Sequence, residues 1–215
     1  MMKKSRGPLV ENGVVVGNTT DKYESGNPLN RLLTNNFCRA VGNLADQVGP
    51  KSIFEVGCGE GHVTKVLLER TSAKIHALDI SETILDKARA NVDSARVSFE
   101  CKNIYDIVSS EEHADLVVCC EVLEHLEDPL RGLRILAKSS APYAILSVPR
   151  EPLWRVLNMA RGAYWKDLGN TPGHLQHWSK AAFIRFVSKE FEVIETRSVL
   201  PWTILVARSR HTDAD

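Results

Sequence analysis

The chain has 215 residues, and its 27 lysines and arginines balance 27 acidic residues, so the formal net charge is zero. With 43% hydrophobic residues, this length suits one globular domain with a continuous core. The balance of charge weighs against a general nucleic-acid binder, because nonspecific affinity for nucleic acids comes from neutralising phosphates.

Three features of the sequence predict a cytoplasmic protein. The longest apolar runs, 141–148 and 199–207, have the length of strands and are too short to span a membrane. The basic N-terminus is not followed by the apolar segment of a secretory signal. The five cysteines are odd in number and lack the spacing of a zinc site, which is typical of reduced thiols.

The elements predicted along the chain define an α/β fold. A polar segment, 1–27, precedes a helix over 29–48. Helices over 61–70, 81–91 and 129–139 then separate the first five predicted strands. The predicted strands are 52–56, 74–79, 96–101, 114–121, 143–148, 191–199 and 202–208. Apolar strands separated by helices indicate a parallel sheet covered on both faces.

The last two strands have no helix between them, and Leu200-Pro201 between them reads as a turn, so we expect an antiparallel hairpin at the sheet edge. The predicted fold is therefore doubly wound, with a mostly parallel seven-stranded sheet and a C-terminal antiparallel hairpin. We expect residues 1–48 to form part of a lid over a domain of residues 49–215.

The segment 150–177 is a long insertion after the fifth strand, and such segments often carry function. Residues 152–165 combine apolar and aromatic side chains with Arg155 and Arg161. This pattern is typical of a substrate lid whose apolar face turns inward, and also of a helix on a membrane surface. The short apolar stretch favours the lid, with peripheral membrane contact as the alternative.

The clearest motif is Glu55-Val56-Gly57-Cys58-Gly59-Glu60-Gly61-His62, which follows a predicted strand and opens a helix. Glycines there let the backbone approach a ligand closely. A dinucleotide fingerprint would need glycine at position 62, which is histidine.

Polar segments follow the next strands as well. Asp79 ends the second strand, where an acid can accept both hydroxyls of a ribose. Asn103 follows the third strand, and the fourth runs into Glu121-Val122-Leu123-Glu124-His125. The fifth ends in Ser147-Val148-Pro149. Because the carboxyl ends of parallel strands meet at one edge of the sheet, these segments should surround one site.

Together these motifs resemble those of class I S-adenosylmethionine-dependent methyltransferases, in particular the small-molecule O-methyltransferases of quinone biosynthesis. The resemblance implies a Rossmann-like fold and S-adenosylmethionine as the cofactor. It implies that Asp79 holds the ribose and that Glu55 faces the amino group of the cofactor. Asn103 stands where the family usually has an aspartate that contacts the adenine. The cofactor-binding residues implied are Glu55, Gly57, Cys58, Gly59, Gly61, Asp79, Ile80, Asn103, Ile104, Glu121 and Val122.

Three histidines at predicted strand ends, His125, His174 and His177, are the candidates for moving a proton. His125 could act as a general base on a hydroxyl or amine, oriented by Glu124 or Asp128, or it could only pack under the following helix. We therefore predict methyl transfer to a hydroxyl or amine of a small molecule, without a nucleic-acid partner. The sequence specifies no oligomeric state.

One alternative adds a metal. Small-RNA 2′-O-methyltransferases bind a divalent cation through a Glu-x-x-Glu-His segment and a later histidine, and Glu121, Glu124, His125 and His174 match those positions. Mg²⁺, Mn²⁺ or Co²⁺ could polarise a ribose diol there. Metal-free family members share the pattern, and the neutral charge disfavours RNA, so the primary prediction contains no metal. A non-catalytic scaffold that binds the cofactor is the third hypothesis.

Overall fold

The computed structural model describes residues 9–11, 14–16, 28–108, 112–160 and 162–211. Strands β1 (Leu9–Glu11) and β2 (Val14–Val16) pair in a small antiparallel sheet. The remainder of 1–27, which we expect to belong to a lid, lies outside the described residues.

A seven-stranded sheet forms the centre of the fold. Its strands are β3 (Ser52–Val56), β4 (Lys74–Asp79), β5 (Val97–Cys101), β6 (Ala114–Cys120), β7 (Ser140–Pro149), β8 (Phe191–Val199) and β9 (Trp202–Ser209). The strand order is β5-β4-β3-β6-β7-β9-β8. Neighbours from β5 to β7 are parallel, whereas β9 is antiparallel to both β7 and β8. The predicted fold class is confirmed.

Six described helices flank the sheet: α1 (Pro28–Val48), α2 (His62–Arg70), α3 (Glu82–Asn91), α4 (Pro129–Ser139), α5 (Leu153–Ala160) and α6 (Lys180–Val187). Side-chain caps begin three of them. The hydroxyl of Ser81 accepts from the backbone N–H of Ile84, Asp128 caps α4 ahead of a proline, and Ser179 caps α6.

Two buried apolar layers hold the helices to the sheet. Phe37 and Leu44 of α1 and Leu67 of α2 pack on one face. Leu133 of α4 and Phe183 of α6 pack on the other. Among the described helices, none combines the length and the apolar character needed to cross a bilayer.

The strand order reverses direction between β3 and β6, which follow one another in the sheet but not in the chain. Open α/β sheets bind ligands in the crevice outside the carboxyl ends of the strands at such a point. The loops after β3, β4, β5 and β6 all open into this crevice.

Candidate active site

A cavity of about 610 Å³ occupies the crevice. It includes ten of the eleven predicted cofactor residues and two of the three predicted catalytic histidines. The lining residues used below are Phe37, Glu55, Gly57, Cys58, Gly59, Asp79, Ile80, Asn103, Ile104, Tyr105, Glu121, Val122, Glu124, His125, Thr171, Gly173, His174, Leu175 and Trp202.

The glycine loop between β3 and α2 forms the floor of the cavity. Gly57 has φ 78°, and a Cβ there would stand 2.2 Å from Cγ2 of Val122. Gly59 has φ 56°, and a Cβ there would meet no protein atom within 4 Å. The first glycine therefore serves close packing inside the protein, and the second leaves open space for a ligand.

Asp79 at the end of β4 is tied to this loop. Its Oδ2 accepts a 2.9 Å hydrogen bond from the backbone N–H of Gly59, and its Oδ1 accepts from the N–H of Ser81 at 3.1 Å. A carboxylate offers about four lone-pair sites, so it can take further hydroxyl donors while keeping both bonds.

Glu55 is an acid buried below the loop, with 2% of its surface exposed. The hydroxyl of Thr64 donates to its Oε2 over 2.6 Å. Burial raises the pKa of Glu55 to about 8, the negative charge of Asp79 adds to the rise, and the Thr64 hydrogen bond opposes it. At neutral pH, Glu55 is therefore largely a neutral acid in the free protein.

Asn103 begins a short 3₁₀ turn after β5. Its Oδ1 accepts a 3.0 Å hydrogen bond from the backbone N–H of Tyr105. The amide oxygen has a second lone pair, so the cap leaves room for one more donor. Ile104 is buried in the same turn, and Ile80, 38% exposed, follows Asp79.

Strand β6 ends at Cys120, one residue earlier than predicted. The next residue, Glu121, has a left-handed φ of 61°, which cannot continue a strand. Ser147 of β7 and Trp202 of β9 hold it there. The backbone N–H of Glu121 donates to the carbonyl of Ser147 at 3.1 Å, and its carboxylate accepts from Ser147 Oγ at 3.3 Å and from Trp202 Nε1 at 2.7 Å.

His125, His174 and Glu124 line the same cavity and lie close to one another. The two imidazole rings are 4.8 Å apart, edge to face. His125 Nδ1 lies 2.9 Å from the carbonyl oxygen of Gly173. Because a carbonyl only accepts, Nδ1 carries the proton and Nε2 keeps its lone pair in the neutral ring.

The same three residues place one potential ligand atom each within 4.8 Å of one another. Two imidazoles and a carboxylate suit a divalent transition metal, and a hydrogen bond from the second ring nitrogen to a carbonyl is common in metal-binding histidines. The predicted fourth ligand, Glu121, is directed to Ser147 and Trp202 instead.

Two predicted residues do not line the cavity. Gly61 caps α2, with Val92 and Ala88 behind it. His177 lies on the protein surface, where its Nε2 makes hydrogen-bond contacts with Asn170 Oδ1 at 2.7 Å and with an Arg155 guanidinium nitrogen at 3.0 Å. Desolvation and the charge of Arg155 lower the pKa of His177.

Among the residues of the cavity wall that sequence reasoning missed are Phe37, Thr171 and Trp202. Phe37 of α1 and Trp202 of β9 pack against each other with ring centroids 4.9 Å apart, and Thr171 lies beside His174. Phe37 reads in the sequence as a core residue of a helix, and Trp202 as the start of a strand. No local motif connects them to the site.

The fold, the glycine loop and the acid at the end of β4 define a class I methyltransferase domain of the S-adenosylmethionine-dependent kind. Residues 53–142 match the family described as "Methyltransferase domain". The resemblance seen in the motifs is thereby confirmed.

Curated relatives cover the same region. This chain is 33% identical to a ubiquinone biosynthesis O-methyltransferase of Neisseria meningitidis over 102 residues, which are 46% of this chain. Over 109 residues, 48% of this chain, it is 38% identical to an uncharacterized protein of Synechococcus sp.. These matches span 42% and 26% of the relatives' own lengths, so the chain covers less than half of each.

Solved structures share the fold over most of the chain. An N-methyltransferase, NodS, of Bradyrhizobium japonicum, in complex with S-adenosyl-L-homocysteine, superposes with a TM-score of 0.66 at 17% identity, covering 89% of this chain and 94% of that one. The magnesium protoporphyrin IX methyltransferase of Synechocystis, with the same ligand, gives a TM-score of 0.65 at 18% identity over 87% and 91%.

Proposed function

We propose that this protein binds S-adenosylmethionine at the glycine loop and transfers its methyl group to a hydroxyl or amine of a small molecule. One observation carries the proposal: a single cavity is lined by the glycine loop, Asp79, His125 and His174. The proposed cofactor site and a candidate proton acceptor thus share one cavity.

The residues present fit the cofactor. Gly59 leaves open space above the loop, and Asp79 lines the same cavity with a carboxylate, a group that can accept hydrogen bonds from ribose hydroxyls. Glu121 adds a carboxylate that favours a cationic ligand, and Glu55 adds a second one once it has released its proton. When bound, S-adenosylmethionine supplies a methyl group already activated by its sulfonium.

The chain's own residues then have two tasks. Phe37 and Trp202 close the side of the cavity with apolar surface and exclude water. His125, with Nδ1 bonded to Gly173, presents Nε2 to accept the proton that the hydroxyl or amine loses. Holding the acceptor atom in line with the methyl group within the cavity supplies the remaining rate enhancement.

The names of the relatives support a small acceptor and both kinds of acceptor atom. One is an O-methyltransferase of ubiquinone biosynthesis, and one structural neighbour is an N-methyltransferase. The neutral charge of this chain gives no general attraction to phosphates.

The test is transfer of label from methyl-labelled S-adenosylmethionine into fractionated cell extract, with labelled products identified by mass spectrometry. We expect label in the small-molecule fraction and none with Asp79→Ala. Label in RNA would overturn the small-molecule assignment. Cofactor binding without transfer to any fraction would favour the scaffold.

A second candidate, metal-assisted methyl transfer to a ribose hydroxyl of RNA, is supported by the cluster of Glu124, His125 and His174. A cation held there would polarise the acceptor oxygen. Transfer that survives exhaustive chelation would exclude it. Loss of transfer on chelation, with recovery on adding Mn²⁺ and no recovery in His174→Ala, would establish it.

The insertion also leaves a surface for the membrane contact considered from the sequence. Val156, Leu157 and Trp165 are 52%, 40% and 64% exposed. Peripheral membrane contact would use these side chains. It predicts that the protein cosediments with anionic vesicles and that Trp165→Ala reduces the bound fraction.

A further inference from the structure

Helix α5 in the insertion contains two buried polar side chains that do not line the cavity. Trp154 and Asn158 are 6% and 3% exposed. Such residues on a short surface helix need hydrogen-bond partners, since burying an unpaired amide costs about 1–3 kcal/mol. Both find their partners in the segment that leads to His174.

The bonds are directional and converge on one hydroxyl. Asn158 Nδ2 donates to the carbonyl of Gly169 at 2.8 Å and to Thr171 Oγ1 at 3.1 Å. Trp154 Nε1 donates to the same Thr171 oxygen at 2.9 Å. Gly169 has φ 78°, and a Cβ there would stand 2.3 Å from the carbonyl oxygen of Arg155, so the segment also packs directly on the helix backbone.

The same segment holds the histidine pair. The indole of Trp154 stacks on His174 with centroids 6.1 Å apart and planes 25° apart. Gly173 supplies the carbonyl for His125 Nδ1.

Two further bonds tie this segment to the loop after β6. The backbone N–H groups of Leu175 and Gln176 donate to the carbonyl of Glu124 at 2.8 and 2.9 Å. A continuous set of contacts therefore runs from α5 to both imidazoles.

We propose that Asn158 and Trp154 are positioning residues that fix His174 and His125 in one arrangement toward the cavity. The insertion then forms a fixed wall of the active site, and helix α5 holds the two histidines in place without lining the cavity itself. This inference rests on the proposed function. Buried polar networks of this kind set a specific geometry, because each donor has a defined direction.

The experiment uses two variants that remove hydrogen-bond donors, Asn158→Leu at similar side-chain size and Trp154→Phe with a smaller aromatic ring. Asn158→Leu removes both hydrogen bonds of Asn158, and Trp154→Phe removes the indole donor but keeps a ring over His174. Ser140→Ala is the matched control: its buried hydroxyl donates to Leu136 over 2.7 Å at the opposite end of β7 from the cavity.

We expect Asn158→Leu to lower kcat about tenfold to a hundredfold, the effect of misplacing a catalytic group by up to 1 Å, with the cofactor Kd within about twofold of wild type. The imidazole ¹H–¹⁵N resonances of His125 and His174 should shift in both variants. Ser140→Ala should lower the melting temperature without changing kcat or these resonances. The double variant should lose less than the product of the single losses, because both residues act through Thr171.

Unchanged imidazole resonances in both variants would overturn the proposal, as would an equal loss of kcat in Ser140→Ala. If Asn158→Leu does not fold, the kcat and the imidazole resonances of Trp154→Phe test the proposal instead. If the wild-type protein transfers no methyl group to any acceptor, the proposed function fails, whereas the imidazole spectra still test the positioning separately.

Discussion

The indole N–H of Trp202 donates a 2.7 Å hydrogen bond to the carboxylate of Glu121, although 81 residues separate them in the chain. Glu121 has a left-handed backbone, which costs a residue with a side chain about 1–3 kcal/mol and persists only where its surroundings hold it. Strand β9, the last strand in the chain, thus holds the residue that directly follows β6.

Trp202→Phe tests this contact. Phenylalanine keeps most of the apolar surface but leaves Glu121 Oε2 without its indole donor, and a hydrogen bond to a charged group contributes about 1.5–3 kcal/mol. We expect affinity for S-adenosylmethionine to fall about tenfold or more, measured by calorimetry. Trp178→Phe, which alters a tryptophan stacked on Phe186 away from the cavity, should leave affinity unchanged. Equal losses in both variants would show a general effect of losing an indole.

Gly57→Ala should destabilise the fold and weaken cofactor binding. The new Cβ would combine the strain of φ 78° with a 2.2 Å clash against Val122, at a cost of about 2 kcal/mol or more. Gly162→Ala is matched, since Gly162 also has φ 78° but no atom within 4 Å of a Cβ. Chemical denaturation should show the larger loss for Gly57→Ala, and adding Val122→Ala should recover part of it. No recovery would mean that strain alone causes the loss.

Asp79→Ala should reduce cofactor affinity about tenfold to a hundredfold, because it removes a charged acceptor from the ribose site. The control is Asp115→Ala: Asp115 Oδ2 also accepts from two backbone N–H groups, those of Lys51 and Ser52, but at the far edge of the sheet. We expect Asp115→Ala to lower stability without changing the Kd for the cofactor. An unchanged Kd in Asp79→Ala would place the ribose elsewhere.

Cofactor affinity should depend on pH through Glu55. Its pKa is raised to about 8 by burial, so at pH 6.5 the free protein must release a proton before Glu55 can pair with the cofactor's ammonium. Affinity should therefore rise with pH, by up to about tenfold per unit, and level off near pH 8. Glu55→Gln should bind more weakly at pH 8 and show no such slope. A slope that persists in Glu55→Gln would assign the titration to another group.

The same shift makes a prediction for the free protein. A pKa raised from its ordinary value of 4.5 contributes stability that is complete below 4.5 and is lost as pH rises through about 8. Relative to Glu55→Gln, the wild-type protein should therefore lose thermal stability between pH 5 and pH 8. A constant difference in melting temperature across this range would contradict the assignment.

His125→Asn distinguishes the roles of the two ring nitrogens of His125. The asparagine amide can still donate to the carbonyl of Gly173, but it has no counterpart to Nε2. If Nε2 accepts the proton, kcat should fall about a hundredfold or more with the cofactor Kd preserved. His211→Asn, at an exposed histidine near Glu190, is the control. A wild-type kcat in His125→Asn would leave proton transfer to His174 or to solvent.

The sequence by itself determined which residues at the strand ends gather around one cavity. Asp79 ends β4, Glu121 directly follows β6 and Asn103 lies two residues beyond β5. Parallel strands carry their carboxyl ends to one edge of the sheet. Once the strands are recognised, local order along the chain therefore places these side chains together. Ten of the eleven residues named from the motifs do line one cavity.

The tertiary structure alone decided which histidines and aromatic residues reach the cavity. His174 and His177 are three residues apart and equally suggestive in sequence, yet one faces His125 and the other faces Arg155 and Asn170. Phe37 and Trp202 come from opposite ends of the chain and meet only because α1 packs beside the last strand. Which side of a loop faces a cavity depends on contacts such as those of Asn158 and Trp154. These contacts join residues distant in sequence, so no local pattern encodes them.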